Sequence, residues 1–79
     1  MKARIFLNDL FGEPEYIETR EFNSDSDVKK YIKEKQKQDY SEGEHVTIID
    51  HGTITTKKGN TYRKIEAISD CDFSYVAYS

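Results

Sequence analysis

Apolar and polar residues alternate with period two over most of this chain, and one central stretch switches to helical spacing. Residues 2–7 put Ala3, Ile5 and Leu7 on one face and Lys2, Arg4 and Phe6 on the other, which predicts a strand. Residues 8–14 hold Asn, Asp, Gly and Pro, the punctuation of a turn, with Leu10 and Phe11 expected to tuck beneath it. Residues 16–22 read as a second strand, with Tyr16, Glu18, Arg20 and Phe22 on one side and Ile17, Thr19 and Glu21 on the other. Neither side is cleanly apolar, so this strand is expected to be partly exposed or at a sheet edge.

The stretch Asn23-Ser24-Asp25-Ser26-Asp27 looks like a helix start. Ser24 or Ser26 can accept from the free N–H groups of the first turn, and the aspartates suit the positive end of the helix dipole. Val28, Tyr31 and Ile32 follow at helical spacing, extended by the aliphatic stem of Lys35 and by Tyr40. The helix is expected to stop near Asp39, before Ser41-Glu42-Gly43. Its apolar stripe is narrow, so only one side can be buried.

Strand spacing returns at residues 45–50, with Val46 and Ile48 opposed to Thr47 and Ile49. Asp50-His51-Gly52 interrupts it as a tight turn or a bulge. Residues 53–56 and 61–68 then read as a hairpin around the glycine-containing loop Lys57-Lys58-Gly59-Asn60. After a turn at 69–72, residues 73–78 form a last strand, with Phe73, Tyr75 and Ala77 on one face and Ser74, Val76 and Tyr78 on the other.

This order predicts an α+β, two-layer sandwich: one helix on a mostly antiparallel sheet of four or five strands, in the order β-β-α-β-β-β. The strand–strand–helix–strand–strand succession resembles the β-grasp architecture of ubiquitin-like domains, in element order and in no sequence motif. The chain ends Val76-Ala77-Tyr78-Ser79, without the Gly-Gly tail of the conjugated members, so the resemblance implies no conjugation chemistry. A two-layer sandwich of other connectivity fits the same pattern.

With 79 residues there is room for one small domain, residues 1–79, and no second core. Only 35% of residues are hydrophobic and 34% are charged, but ten aromatics and runs of β-branched residues favour folding over disorder. Cys71 is the sole cysteine, which excludes an internal disulfide and any zinc site built on CxxC pairs. No apolar run approaches the roughly 18 residues needed to span a bilayer, so the expectation is a cytoplasmic protein with no membrane partner.

The net charge of −3 conceals a sorting into blocks: −4 over residues 1–27, +4 over 28–38, −4 over 39–56, +4 over 57–64 and −3 over 65–79. Sorted charge of this kind steers oppositely patterned partners. In a helix, Lys29, Lys33 and Lys37 line up at four-residue spacing with Lys30 and Lys35 alongside. Such a row can follow a phosphate backbone; it reads equally as a solvated helix face. The second basic group, Lys57, Lys58, Arg63 and Lys64, lies among aromatics, with Tyr62, Phe73, Tyr75 and Tyr78 in the same strands. Aromatics interleaved with cations on a sheet hold single-stranded nucleic acid, and they also fill small cores. Core with an exposed tyrosine or two is the expectation here.

Metal-competent residues are present as His45, Asp50, His51, Asp70, Cys71 and Asp72, but their spacing matches no zinc, calcium or EF-hand pattern. No nucleophile elbow, P-loop, dinucleotide fingerprint or HExxH motif occurs. The expectation is therefore a non-enzymatic module with no metal and no cofactor. It would act by binding another protein or a second copy of itself, through a sheet edge or a charge-polarised surface. The alternative is a nucleic-acid-binding protein using Lys29, Lys30, Lys33 and Lys37 on the helix and Lys57, Lys58, Arg63 and Lys64 on the hairpin, with Tyr75 as a contact.

Overall fold

A computed structural model describes residues 1–40 and 45–79. The elements are β1 (Lys2–Asp9), β2 (Glu15–Glu21), α1 (Asp25–Tyr40), β3 (Thr47–Thr55), β4 (Thr61–Ile68) and β5 (Phe73–Tyr78). The five strands form one sheet in the order β2-β1-β5-β4-β3. Every neighbouring pair is antiparallel, the central pair of β1 and β5 included. The fold is thus the expected α+β arrangement of one helix on a five-stranded antiparallel sheet, and α1 carries the chain from one edge to the other.

Ser24 is the residue that caps α1: its hydroxyl accepts from the Asp27 N–H at 3.3 Å, and Asp25 and Asp27 occupy the first turn. The expected stop at Ser41-Glu42-Gly43 lies outside the described residues. Val28 and Ile32 are fully buried against Ala3, Ile5, Ile65, Ala67, Tyr75 and Ala77, so the core lies between α1 and one face of the sheet. Burying each of these isoleucines contributes about 1.5–3 kcal/mol.

Two bulges correct the simple alternation. In β2, Ile5 pairs with Glu18 but Phe6 pairs with Tyr16, so Ile17 is an extra residue. Tyr16 is thereby turned away from Glu18 and Arg20 onto the opposite face, where it meets Phe6 edge-on and its hydroxyl lies 2.7 Å from that of Thr19. In β3, Asp50 pairs with Ile65 and Gly52 with Lys64, leaving His51 as the extra residue. Residues 47–55 are therefore one strand with a bulge, as one of the two sequence readings has it. Gly52 takes φ +71°, and its N–H donates to Asp50 Oδ1 at 2.9 Å.

Gln36 is fully buried, at a position where the sequence shows only an interruption of the apolar stripe. It follows Val28 and Ile32 at four-residue spacing and so shares their face. The pairing of β4 with β5 reaches only to Ala67 and Tyr75, which leaves the start of β5 without a strand on that side. Gln36 takes the missing strand's place. Its amide nitrogen donates to the Phe73 carbonyl at 2.8 Å and to the Ser69 hydroxyl at 2.9 Å, and its oxygen accepts from the Tyr75 N–H at 3.0 Å.

Candidate interaction surfaces

Arg63 and Lys29 are not free cations. Arg63 and Lys64 are neighbours on β4, so they point to opposite faces of the sheet. Arg63 faces α1, where it grips Asp50 through both Nη2 and Nε and reaches Asp25 at 2.5 Å. Lys29 adds to Asp50 at 3.2 Å. These four residues clamp the start of α1 to β4 and to the β3 bulge. The Arg63 guanidinium first, then the Gly52 N–H and Lys29, hold the Asp50 carboxyl well below its ordinary value. A depressed carboxyl stabilises the fold above the ordinary carboxylate range, and the contribution is lost as pH falls below it. Asp50→Asn is accordingly expected to lower stability at neutral pH and to make it fall less on acidification than wild type. Urea midpoints between neutral pH and about pH 3 check this, and parallel declines in the two proteins would contradict it.

Tyr75 is also internal. It is 5% exposed, lies in the core and donates its hydroxyl to Asp39 at 2.6 Å. Burial, with Asp39 beside it, pushes the phenol's pKa up. As a contact residue for a ligand it is misplaced, because the even spacing of β5 sends it beneath α1. Lys35 lies over the rings of Tyr31 and Tyr75. Lys30, Lys33 and Lys37 remain exposed on the outer side of α1, and Lys57 and Lys58 are exposed in the β3–β4 loop. Lys64 stands on the far side of the sheet from the helix. The two basic blocks therefore do not form a single patch.

The sheet face away from α1 is not covered by any other described element. It carries four aromatic rings in series across four strands: Tyr16 on β2, Phe6 on β1, Tyr78 on β5 and Tyr62 on β4. Successive centroids are 5.6, 5.5 and 5.3 Å apart, each pair edge to face. Val76 is completely buried although it lies outside the helix-side core, which places it under this second, smaller cluster. Tyr75 thus belongs to the main core and Phe73 stacks on Tyr40 beside it, while Tyr62 and Tyr78 lie on the other face, a division that follows from strand parity.

The third surface was not visible as one in the sequence. Leu10 and Phe11 do not tuck under the β1–β2 turn: they are 72% and 83% exposed. The turn that presents them is hydrogen-bonded on three sides. Leu10 N–H donates to the Asp72 carbonyl at 2.9 Å, Phe11 N–H to Asp9 Oδ1 at 3.0 Å and Gly12 N–H to the Asp9 carbonyl at 3.2 Å. These bonds fix the backbone so that both side chains point outward, which is why the expectation of burial fails. Asp9, Glu13 and Glu15 flank the pair in sequence, and the bond to Asp72 brings the β4–β5 turn alongside. A shallow groove between the two turns is lined by Asn8, Pro14, Cys71 and Phe73.

The metal-competent residues are dispersed. His51 is 3.0 Å from Glu66, Asp50 serves Arg63, and no three His, Cys, Asp or Glu residues gather in a metal-binding group among the described residues. No described helix is long and apolar enough to cross a membrane. The chain has no significant match among protein-family models, curated proteins or solved structures.

Proposed function

We propose that this chain is a non-enzymatic protein-interaction module, and that the β1–β2 tip is the surface it offers to a partner. The exposure of Leu10 and Phe11 on a turn held by three hydrogen bonds carries this reading. Two large apolar side chains at a fixed backbone bind at little cost in ordering, which is how a few residues come to dominate an interface. The surrounding Asp9, Glu13, Glu15 and Asp72 supply a polar, acidic rim, so the complementary surface is an apolar pocket bordered by lysine or arginine. Strand addition is a weaker reading. The edge strand β2 carries Glu15, Glu18, Arg20 and Glu21 and a bulge at Ile17, features that blunt an edge against pairing.

Parallel affinity captures with wild type and with a Leu10→Ser/Phe11→Ser variant test the proposal. A protein retained by wild type and lost by the variant is expected, and with that partner purified the affinity is expected to drop about thirtyfold or more. Identical sets of retained proteins, or none from either column, would contradict it. Concentration-dependent sedimentation that the variant abolishes would identify the partner as a second copy.

A further inference from the structure

We infer that the sheet face away from α1 binds single-stranded nucleic acid, with Arg4 and Lys64 holding phosphates on either side of Tyr78. Strand pairing sets this row. Arg4 on β1 and Lys64 on β4 are both direct partners of Tyr78 on β5, so the two cations flank one ring at about 10 Å from each other. Lys2 lies two residues from Arg4 on the same face. Rings of Phe6 and Tyr62 meet Tyr78 edge-on at 5.5 and 5.3 Å, and Tyr16 continues the series.

The charge on this face is more positive than the whole chain suggests. Lys2, Arg4 and Lys64 outnumber its two acids, Glu66, which accepts from Ser74 and lies 3.0 Å from His51, and Glu21, which pairs with the N-terminal ammonium at 3.4 Å. Lys2, Arg4 and Lys64 have no ion-pair partner among the described residues, and Arg4 and Lys2 are exposed. Unpaired cations beside aromatic rings complement a phosphate backbone whose bases are free to lie on the rings. A duplex hides those base faces, so the single strand is the fitting form. This site differs from the lysine row of the helix, which faces the other way, and it stands independently of the β1–β2 tip.

Fluorescence anisotropy with a short labelled oligothymidylate and oligouridylate, and with a duplex of equal length, tests the inference. Wild type is expected to bind the single strands at low salt, with log affinity falling against log salt at a slope of about −2 for three phosphate contacts. Arg4→Ala/Lys64→Ala is expected to lose about tenfold or more and to flatten that slope. Tyr78→Leu, which keeps apolar bulk over Val76, is expected to lose about tenfold through lost stacking. Lys30→Ala/Lys33→Ala/Lys37→Ala removes one cation more, yet is expected to lose far less. Circular dichroism melts establish that each variant is folded, and Leu10→Ser/Phe11→Ser should bind as wild type does. Absence of binding at low salt, equal affinity for the duplex, or a larger loss in the helix variant than in the sheet variant would overturn the inference.

Discussion

Replacing Gln36 with leucine is expected to destabilise the protein by about 2–4 kcal/mol, although leucine is of similar size and far more apolar. The loss comes from what is left behind. The Phe73 carbonyl lies beyond the end of the β4–β5 pairing, which stops at Ala67 and Tyr75, and Gln36 donates to it and accepts from the Tyr75 N–H. An unsatisfied buried polar group costs about 1–3 kcal/mol, and a chain of this size has roughly 4–12 kcal/mol in total. Gln36→Glu gives a more specific signature. A carboxylate can accept from the Tyr75 N–H but cannot donate to the Phe73 carbonyl, and burial would raise its pKa. Such a group contributes stability below the ordinary glutamate value and loses it as pH rises, so this variant should gain stability on mild acidification while wild type does not. Urea midpoints of wild type and both variants decide the matter; a leucine variant as stable as wild type would mean that water or the turn residues replace the amide.

Ile32→Ala is expected to cost about 3 kcal/mol, whereas Phe11→Ser should change stability by no more than about 0.5 kcal/mol. Both positions hold large apolar residues, and hydropathy alone ranks them together. Ile32 is fully buried between α1 and the sheet, so truncation removes contacts and leaves a cavity in a core that has few other large side chains. Phe11 is 83% exposed and its turn is held by backbone and aspartate hydrogen bonds that a serine would keep. An apolar residue that the fold does not use, placed on a fixed turn, is one that association can use. The contrast between these two substitutions therefore separates the apolar residues that build the protein from those offered outward.

Much of this architecture was legible because most segments obey a single period. Alternation put Ala3 with Ile5 on one face of β1 and Tyr75 with Ala77 on one face of β5, and Val28 with Ile32 marked the helix face that meets them. The bulge residues Ile17 and His51 were harder. An inserted residue reverses parity beyond it, and only the partner strand reveals where the reversal falls. That reversal moves Tyr16 into the aromatic series, which the sequence did not assemble. Lysine spacing misled in a different way: Lys29 sits at the border of the buried face and turns to Asp50, leaving Lys30, Lys33 and Lys37 as the outer row. Gln36 could have been found from its spacing after Val28 and Ile32, but a polar residue there reads as a break until its partners are known. Leu10 and Phe11 could not have been placed, because their exposure depends on the Asp72 carbonyl, more than sixty residues away.

The most direct test of the interaction surface is a paired measurement on the Leu10→Ser/Phe11→Ser variant: its urea midpoint and its retention of the partner captured by wild type. The tip is predicted to be dispensable for folding and required for binding, so the midpoint should match wild type while the partner is lost. A lowered midpoint like that of Ile32→Ala, or an unchanged midpoint with the partner retained, would contradict the account.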